Sequence, residues 1–389
     1  MTDVVAAALR LTDEQIAVRT VAGRSDGDRM STRDRQGRPI DRNPKGVATV
    51  THDNEQPPPT VVMSRMLDGF LLSQALFVLA EAGVATILDE EGPQTVAVLA
   101  ERTGSDADAL ARLIRIVTPH GVFRAADDKV AVTPLGATLS EKHPQSLYGI
   151  AVGSMHLHYR AVGELAHTLR TGEPAARKYF GTTYFDYIAT NPELAELFGR
   201  AMTVFANTMR AGMFDGYRLP AGDTIADLGG GDGTVLVELL RQDGHRDRRG
   251  VVFDLPGVVE AAHATLAAAG MAERVEVVAG NFFDDVPHAD IYLLSWILHD
   301  WNDADAAKIL RTVAASAAAG ARLLVAELVV PPTDAPHPSK GMDLVMLSLL
   351  GGKERTANEY RILLNNNGFD LDRVVPTSSP IVILEATRL

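Results

Sequence analysis

The sequence predicts an α/β protein with a doubly wound parallel sheet in its C-terminal half and a smaller, mainly helical winged-helix domain before it. Three observations lead to this prediction. From residue 222 onward, short apolar runs alternate with helical stretches, as in a parallel sheet covered by helices. The first of these runs ends in the glycine-rich turn "DLGGGDGT". Between about residues 61 and 150, two helical stretches precede a short hairpin, which is the order of a winged helix.

Composition divides the 389 residues into four predicted segments. Residues 1–58 are charged, rich in Gly and Arg and poor in apolar side chains, so we predict a disordered extension that buries too little surface to offset its ordering entropy. Residues 59–150 are the predicted winged-helix-like domain. Residues 151–220 read as a helical connector with aromatic insertions, and residues 221–389 as the doubly wound domain.

The winged-helix pattern raises the hypothesis of a DNA-binding regulator. Its candidate recognition helix opens with Asp106 and Asp108 and offers Arg112 and Arg115 as its cations. That is too little positive charge for contacts with DNA phosphates. We therefore predict a structural or dimer-forming use of this domain and no nucleic-acid partner.

Charge and cysteine usage exclude several classes of protein. The formal net charge is −13, so the chain as a whole has no basic surface for nucleic acid or anionic membrane. The absence of cysteine excludes disulfides, thiolate zinc sites and a cysteine nucleophile, and it fits the reducing cytoplasm, where we expect the protein. The apolar stretch after Gly69 is interrupted by Gln74 and Glu81, which predicts an amphipathic helix buried in a protein core or in an interface, not a membrane span.

Two histidines alternate in the stretch "MHLHY". His156 and His158 have a spacing that suits a metal only if they lie on a strand, and no further histidine supports such a site. We interpret them as packing or pocket-lining residues and expect no bound metal.

The glycine-rich turn follows the first predicted strand of the doubly wound domain. Gly229, Gly231 and Gly233 let the backbone turn tightly into a helix N-terminus and approach a ligand closely. A dinucleotide-binding turn has Gly or Ala five positions after its first glycine, whereas Thr234 stands there. The pattern favours a nucleoside that carries an amino-acid tail.

Further candidate ligands come at the ends of the next two strands. Asp254, in "VFDLP", stands where a doubly wound fold places its ribose-binding acid, although it could equally cap the following helix. In "AGNFFDD", Asn281 is expected to hydrogen-bond an adenine edge and Phe282 to pack on its face.

The chemistry-bearing residues follow the fourth strand, in "SWILHDW". We predict that His299 is a general base oriented by two carboxylates, Glu327 and Glu354, which fall in loops that such a sheet gathers at one edge. Asp300 either helps to place His299 or lies at the start of the helix near Asp303, and the residues alone leave both readings open.

These motifs as an ordered set resemble those of the S-adenosylmethionine-dependent O-methyltransferases. The set consists of "DLGGGDG", "FDLP", "GNFF", "HDW", the glutamate of "VAELVVP" and "GGKERT", and the resemblance covers roughly residues 60 to 389. The family includes plant enzymes of the caffeic-acid type, acetylserotonin methyltransferase, and bacterial enzymes that methylate polyketides and other aromatic metabolites. The resemblance implies a Rossmann-like methyltransferase fold, S-adenosylmethionine as cofactor, and a homodimer formed through the domain at residues 59–150.

The resemblance also implies roles for individual residues. It gives His299 as the base with Glu327 and Glu354 beside it. It places the glycine turn around the methionine part of the cofactor, Asp254 on the ribose, and the adenine between Phe282 and Trp296. The remaining implied cofactor residues are Asn281 and Ser295, and the implied acceptor-binding residues are Met346, Met202 and Phe205.

Two positions depart from the family pattern. Asn281 stands where many members have Asp, and because an amide oxygen still accepts a hydrogen bond, we expect weaker but retained cofactor binding. Ser295 stands where plant members have Lys, which removes a charged contact near the adenine. Neither change touches the predicted reaction centre.

The predicted function is methylation of a hydroxyl on a small aromatic molecule, as a step of bacterial secondary metabolism such as antibiotic biosynthesis. The sequence leaves open methyl transfer to nitrogen or carbon, because the shape of the pocket sets the acceptor atom. A repurposed relative that does not methylate also stays open. A nicotinamide-dependent oxidoreductase is disfavoured by the glycine pattern, and a DNA-binding regulator by the acidic recognition helix.

Overall fold

The computed structural model describes residues 57–389 and, in the part of the chain before them, two short strands that pair antiparallel, Thr32–Arg33 and Pro39–Ile40. The predicted extension at residues 1–58 otherwise lies outside the described residues. The chain divides into two compact units, residues 1–66 and 67–389. The predicted boundaries at residues 59, 151 and 221 stay predictions.

The strands are numbered here in chain order. They are β1 (Thr32–Arg33), β2 (Pro39–Ile40), β3 (Gln94–Thr95), β4 (Phe123–Ala126), β5 (Lys129–Val132), β6 (Thr224–Leu228), β7 (Arg249–Asp254), β8 (Val275–Ala279), β9 (Ile291–Ser295), β10 (Arg322–Glu327), β11 (Val329–Val330), β12 (Arg355–Thr356), β13 (Phe369–Pro376) and β14 (Val382–Arg388).

The helices of residues 57–389 fall into three groups along the chain. Those of the first domain are Pro59–Leu67, Gly69–Glu81, Val84–Glu91, Val96–Thr103, Ala107–Val117 and Pro134–Ala137. Those of the connector are Tyr148–Gly153, a π-helix at Ser154–Tyr159, Arg160–Val162, Leu165–Thr171, Ala175–Phe180, Tyr184–Ala189 and Pro192–Arg210. Those of the sheet domain are Thr234–Gln242, Pro256–Ala269, Asp303–Ser316, Pro338–Leu349 and Ala357–Asn365, and 3₁₀ turns lie at Thr118–His120 and Leu298–Asp300.

A seven-stranded sheet forms the centre of the second half, in the order β13-β14-β10-β9-β6-β7-β8. The strands from β6 to β10 are parallel, and β14 joins β10 and β13 in antiparallel pairs. The chain runs outward from β6 to β8 and then returns to β9 on the other side of β6. The strand order therefore reverses between β6 and β9, which is where sheets of this kind bind ligands at the carboxyl ends of their strands.

Apolar side chains alternate between two cores along the central strands. In β9, Tyr292 and Leu294 face one core, whereas Ile291 and Leu293 face the other. The first core is closed by the helices Asp303–Ser316 and Ala357–Asn365, and the second by Thr234–Gln242 and Pro256–Ala269. Both faces of the strand are buried, which explains why its sequence is a continuous apolar run.

The predicted helix-turn-helix and hairpin of the first domain are confirmed as elements. The helices Val96–Thr103 and Ala107–Val117 flank Gly104, which has the positive φ of a helix C-cap, and β4 pairs with β5. Asp106 caps the second helix by accepting the Ala109 N–H, and Asp108 pairs with Arg112. The acids that open this helix thus serve the helix itself.

The apolar helical segment before residue 82 remains largely exposed in the single chain, so of the two predicted alternatives burial in a core is not seen, and burial in an interface stays a prediction. The helix Gly69–Glu81 buries Ala75, Leu79 and Ala80, while Phe70, Leu71 and Val78 are exposed. By length and composition alone, Pro59–Glu81 is one candidate for a membrane span in the described residues, with 6% of its most apolar window buried. The expected cytoplasmic location stays a prediction.

Candidate active site

A cavity of about 650 Å³ opens at the carboxyl ends of β6 and β9. Such a volume is typical of sites for small ligands. One end is bounded by the glycine turn after β6. The other end is bounded by aromatic and apolar side chains from the connector and from the helix Pro338–Leu349, namely Phe185, Phe198, Met202, Phe205, Val345 and Met346.

The glycine turn has the backbone conformation that its sequence predicts. Gly229, Gly231 and Gly233 have φ values of 74°, 55° and 76°, which side chains other than glycine's rarely adopt. The Gly231 N–H donates to Oδ2 of Asp254 at 2.9 Å, so the predicted ribose acid faces this turn. Its other oxygen accepts the N–H of Leu255, which begins the next helix. Gly229 and Gly231 line the cavity.

A buried carboxylate and a half-buried cation lie beside the glycine turn, and neither was predicted from the sequence. Asp227 is the last residue but one of β6, is 1% exposed, and its Oδ2 has no hydrogen-bond partner among the described residues. Burial raises its pKa to about 7, against the attraction of Arg210. Arg210 ends the helix Pro192–Arg210, and both residues line the cavity.

His299 lies on the 3₁₀ turn that follows β9, and it lines the cavity. Trp296 connects β9 to this turn and adopts a φ of 57°, a left-handed backbone conformation that is energetically costly for a bulky residue. The backbone N–H groups of Ile297 and Leu298 donate to Oε1 of Glu327, at 3.0 and 2.9 Å. Glu327 therefore supports the turn as well as its histidine.

Three carboxylates surround the His299 ring, as the sequence predicts for two of them. Nδ1 lies 2.8 Å from Oε1 of Glu354 and 3.9 Å from Oε2 of Glu327, and Nε2 lies 3.4 Å from Oδ1 of Asp300. Both glutamates are fully buried behind the histidine, whereas His299 and Asp300 line the cavity. Glu354 thus holds the ring by Nδ1, and Nε2 lies beside Asp300.

The carboxylates favour the protonated form of His299. Burial by itself lowers the pKa of an imidazole, but Glu327, Glu354 and Asp300 together raise the pKa of His299 to about 10. Burial also raises the pKa of Glu327 and of Asp300, in both cases against the attraction of His299. The cluster as a whole therefore holds protons that a solvated group would release.

Asp300 contacts His299, and a different residue caps the helix that follows. Asn302 is the N-cap of the helix Asp303–Ser316 and accepts the N–H groups of Ala304 and Asp305 through its side chain. Of the two readings that the sequence left open, this geometry favours placement of His299.

Arg355 ties the histidine turn to the loop that carries Glu354. Its buried guanidinium donates to the carbonyl oxygens of Leu298 and Trp301, each at 2.9 Å, and to Asp303 at 2.9 Å. Lys353 adds a backbone bond, since its N–H donates to the His299 carbonyl oxygen at 2.8 Å. The motif "GGKERT" thus supplies a carboxylate to the histidine ring and donors to the backbone around it.

His299, Glu327 and Glu354 are also close enough to be considered as metal ligands. One ligand atom from each lies within 4.8 Å of the others. The Nδ1–Oε1 distance of 2.8 Å is that of a hydrogen bond between His299 and Glu354. The expectation of no metal stays a prediction.

Phe282 and Trp296, the two side chains predicted to sandwich the adenine, contact different neighbours. Phe282 contacts Phe283 and Trp301, with ring centroids 5.2 and 6.3 Å away. Trp296 contacts Phe205 at 6.2 Å and His299 at 5.7 Å. The predicted sandwich between Phe282 and Trp296 therefore stays a prediction.

Two other predicted cofactor residues differ in what their side chains contact. The Asn281 side-chain oxygen accepts the Phe283 N–H at 3.0 Å, so it is already used in the local turn. Ser295 lines the cavity with a hydroxyl that has no partner among the described residues, which fits a hydroxyl that awaits a ligand.

A polar pair lies in the acceptor half of the cavity: His158, which was interpreted from the sequence as a packing or pocket-lining residue, and Tyr184, which was not predicted. His158 Nε2 lies 2.9 Å from the Tyr184 hydroxyl, and both side chains line the cavity beside Phe198. Burial lowers the pKa of His158 to about 4, so it is neutral. It lies on the π-helix Ser154–Tyr159, a rare element that often marks functional sites. The neighbouring His156 pairs instead with Glu81 at 2.7 Å.

Family models match both halves of the chain. A model described as an O-methyltransferase domain matches residues 162–370, and one described as an O-methyltransferase dimerisation domain matches residues 64–142. Phenazine O-methyltransferase PhzM of Lysobacter antibioticus is 37% identical, over 85% of this chain and 96% of that protein.

Solved structures give the same result. The structure of the O-methyltransferase NcsB1 from neocarzinostatin biosynthesis, in complex with S-adenosylmethionine and 2-hydroxy-5-methyl naphthoic acid, has a TM-score of 0.71 and 34% identity, covering 82% of this chain and 96% of that one. A relative with another acceptor atom is the 8-amino-8-demethylriboflavin N,N-dimethyltransferase of Streptomyces davaonensis, which is 33% identical over 76% of this chain and 86% of that protein.

Proposed function

The chain belongs to the S-adenosylmethionine-dependent O-methyltransferases, and from that premise we propose that His299 is the general base that activates an aromatic hydroxyl for methylation. The observation that carries the proposal is that His299 lines the cavity while its Nδ1 lies 2.8 Å from Oε1 of Glu354. A phenol has a pKa of about 10, so at neutral pH it needs a base to become a strong nucleophile.

The residues around the glycine turn fit the cofactor. When bound, S-adenosylmethionine supplies an electrophilic methyl group on its sulfonium. Gly229 and Gly231 would hold its methionine part, because a side chain at either position would be strained and a Cβ at Gly229 would collide with Ile297. Asp254 would bind the ribose hydroxyls, and the unpartnered Ser295 hydroxyl offers a further donor or acceptor.

His299 would take the acceptor's proton at Nε2. Its Nδ1–H donates to Glu354, and a neutral imidazole with that tautomer has Nε2 as its acceptor. The carboxylates of Glu354, Glu327 and Asp300 then stabilise the imidazolium that forms. His299 loses its own proton more readily once a second cation shares the cavity, since like charges disfavour each other. General-base help of this kind contributes about 10²- to 10⁴-fold to the rate.

The walls of the acceptor half support an aromatic acceptor. Met202, Phe205 and Met346 line the cavity together with Phe198. Flat apolar and aromatic walls favour a planar ring, and positioning that ring in line with the methyl group contributes a larger part of the rate than the base. We propose a natural product as the acceptor, because relatives of this chain are named for such substrates.

We further propose that the enzyme is a homodimer. The match to a dimerisation domain at residues 64–142 supports this, as does the exposure of apolar residues in the helical segment before residue 82. Exposed apolar surface of this extent is typical of an interface. The exposed residues are Val61, Val62, Met63, Met66, Leu67, Phe70, Leu71 and Val78.

The test is mass-spectrometric detection of methyl transfer from S-adenosylmethionine to a panel of hydroxylated aromatics, with His299→Ala measured in parallel. The proposal predicts one added methyl group with the parent protein and a rate at least about 100-fold lower with the variant. Binding of S-adenosylhomocysteine should be equal in both. Equal turnover by the variant would contradict the base assignment while leaving the enzyme class intact. A chelator should leave the methylation rate unchanged. A rate that falls when the chelator is added would point to a metal at His299.

Amino-substituted analogues of the same panel separate oxygen from nitrogen as the acceptor atom. The relative named as an N,N-dimethyltransferase is the reason to include them. Methylation of anilines in preference to the matching phenols would replace O-methylation by N-methylation.

A further inference from the structure

Arg210 is a cation that faces the cofactor end of the cavity without an ion-pair partner. It is the last residue of the helix Pro192–Arg210, and it lines the cavity together with Asp227, Gly229 and Gly231. Among the residues that the structure describes, no carboxylate oxygen lies within 4.0 Å of its guanidinium nitrogens, and its buried Nε has no hydrogen-bond partner. Arg210 is half-buried, and an arginine withdrawn from solvent is ordinarily paired, so one without a partner at a cavity wall indicates a ligand.

The guanidinium is held in place by an aromatic ring. Its Cζ lies 5.2 Å from the centre of the Trp296 ring, a distance at which a cation is attracted to a ring face. Trp296 in turn lies next to His299, with ring centroids 5.7 Å apart. The contact with the ring restrains the guanidinium without using its N–H donors, and a guanidinium can bind a planar carboxylate by two parallel hydrogen bonds.

The surrounding charges define what the ligand carries. Burial lowers the pKa of Arg210, and Asp227, Glu327, Asp232 and Glu238 oppose that effect from beyond contact distance. Asp227 has its own unpartnered oxygen in the same wall. A half-buried cation and a buried carboxylate that do not pair with each other are complementary to a zwitterion, with the ligand carboxylate at Arg210 and the ligand ammonium at Asp227.

We propose that Arg210 binds the α-carboxylate of the amino-acid part of the cofactor. The inference rests on the proposed function, since that function places S-adenosylmethionine at the glycine turn. An α-amino acid is the zwitterion that the cofactor presents there. A carboxylate on the aromatic acceptor has the same chemistry, and the experiment below separates the two sources.

The experiment measures binding by calorimetry for the parent protein and for Arg210→Met, which keeps the aliphatic stem and removes the charge. Three ligands are compared: S-adenosylhomocysteine, S-adenosyl-3-thiopropylamine, which lacks only the carboxylate, and 5′-methylthioadenosine, which lacks the whole amino-acid head. Arg210→Met should weaken the first about 10- to 100-fold, the usual size of a charge-assisted contact, and leave the other two unchanged. Arg218→Met, at an exposed arginine, is the matched control.

Each other outcome overturns the assignment. Equal weakening of S-adenosylhomocysteine and S-adenosyl-3-thiopropylamine would make Arg210 a structural residue. Unchanged binding of all three, with a higher KM for a carboxylated acceptor, would move the contact to the acceptor. Retained binding of 5′-methylthioadenosine shows that the variant is folded. Failure of the proposed function is distinguishable, because the parent protein itself would then not bind S-adenosylhomocysteine.

Discussion

Nδ1 of His299 and Oε1 of Glu354 are 2.8 Å apart, and both side chains are shielded from solvent, with 5% and 2% of their residue surfaces exposed. The bond orients the ring and supplies a negative charge to the imidazolium. Glu354→Gln keeps an oxygen that accepts the bond and removes the charge. A hydrogen bond to a charged group contributes about 1.5–3 kcal/mol, so we expect kcat to fall about 10- to 100-fold.

Steady-state kinetics with calorimetry of S-adenosylhomocysteine binding check this prediction. The expected result is a lower kcat with cofactor affinity unchanged, because Glu354 does not line the cavity. A kcat equal to that of the parent would show that the charge of Glu354 is not used in the reaction.

Replacing Glu327 by Gln should shift the pH dependence of kcat/KM. Burial lowers the pKa of His299, and Glu327 is the strongest of the groups that raise it, to about 10. A base must be unprotonated, so kcat/KM of the parent should rise with pH from neutral toward alkaline values. In Glu327→Gln the pKa of His299 falls, and the rising limb should move to lower pH by one unit or more, with a lower plateau because a weaker base remains.

The measurement is the kcat/KM profile of both proteins with one acceptor. Using the same acceptor cancels the ionisation of its own hydroxyl. Identical limbs would mean that the titration belongs to the acceptor or to another group, and not to His299.

The strands, the glycine turn and the histidine with its two glutamates were accessible from the sequence because each depends on local patterns. The apolar run of β9 predicts a strand buried on both faces, and its parallel neighbours place residues after their carboxyl ends at one edge. His299, Glu327 and Glu354 therefore come together although up to 55 positions separate them.

Other parts of the site depend on tertiary packing and leave no such pattern. Arg210 reads as an ordinary basic residue in the last turn of a helix, and only the packing of that helix turns it toward Asp227. His158 and Tyr184 meet through a π-helix, whose sequence does not differ from that of an α-helix. The apolar segment before residue 82 was expected to be buried in a core or in an interface, because amphipathic spacing does not tell burial within a chain from burial between chains.

Gly352 lies where the loop that carries Glu354 packs closely against the backbone of the turn that carries His299. A Cβ at this position would collide with the His299 carbonyl oxygen and lie 2.7 Å from the carbonyl carbon of Asp300. Because both are backbone atoms, the histidine turn must move. We expect Gly352→Ala to lower kcat at least about 10-fold, since small misplacements of catalytic groups cost rate, and to reduce the free energy of unfolding by about 1–3 kcal/mol.

The control for that substitution is Gly341→Ala. Gly341 is exposed in the helix Pro338–Leu349, and a Cβ there meets no atom within 4 Å. That variant should keep kcat and be as stable as the parent or slightly more so, since Ala favours a helix over Gly. Steady-state kinetics and urea unfolding of Gly352→Ala and Gly341→Ala test this prediction. Equal kcat in both variants would show that the histidine turn tolerates the displacement.

Replacing Arg355 by Lys should damage the site, because the substitution keeps the positive charge but loses the directions of the guanidinium hydrogen bonds. Its fully buried guanidinium donates in several directions, to the carbonyl oxygens of Leu298, Trp301 and Lys353 and to the carboxylate of Asp303. Lysine keeps the charge, but its single ammonium cannot reproduce a planar fork of five donors. Carbonyl oxygens left without partners in the interior each cost about 1–3 kcal/mol, so Arg355→Lys should reduce the free energy of unfolding by several kcal/mol.

Thermal and denaturant unfolding check the stability, with Arg112→Lys as the control because that arginine forms an exposed pair with Asp108 on a helix surface. In Arg355→Lys the turn that carries His299 also loses its anchor, so kcat should fall together with stability, while the control changes neither. If Arg355→Lys unfolded like the parent, the turn would have to be held by Glu327 and the Lys353 backbone alone, and the guanidinium would be dispensable to the site.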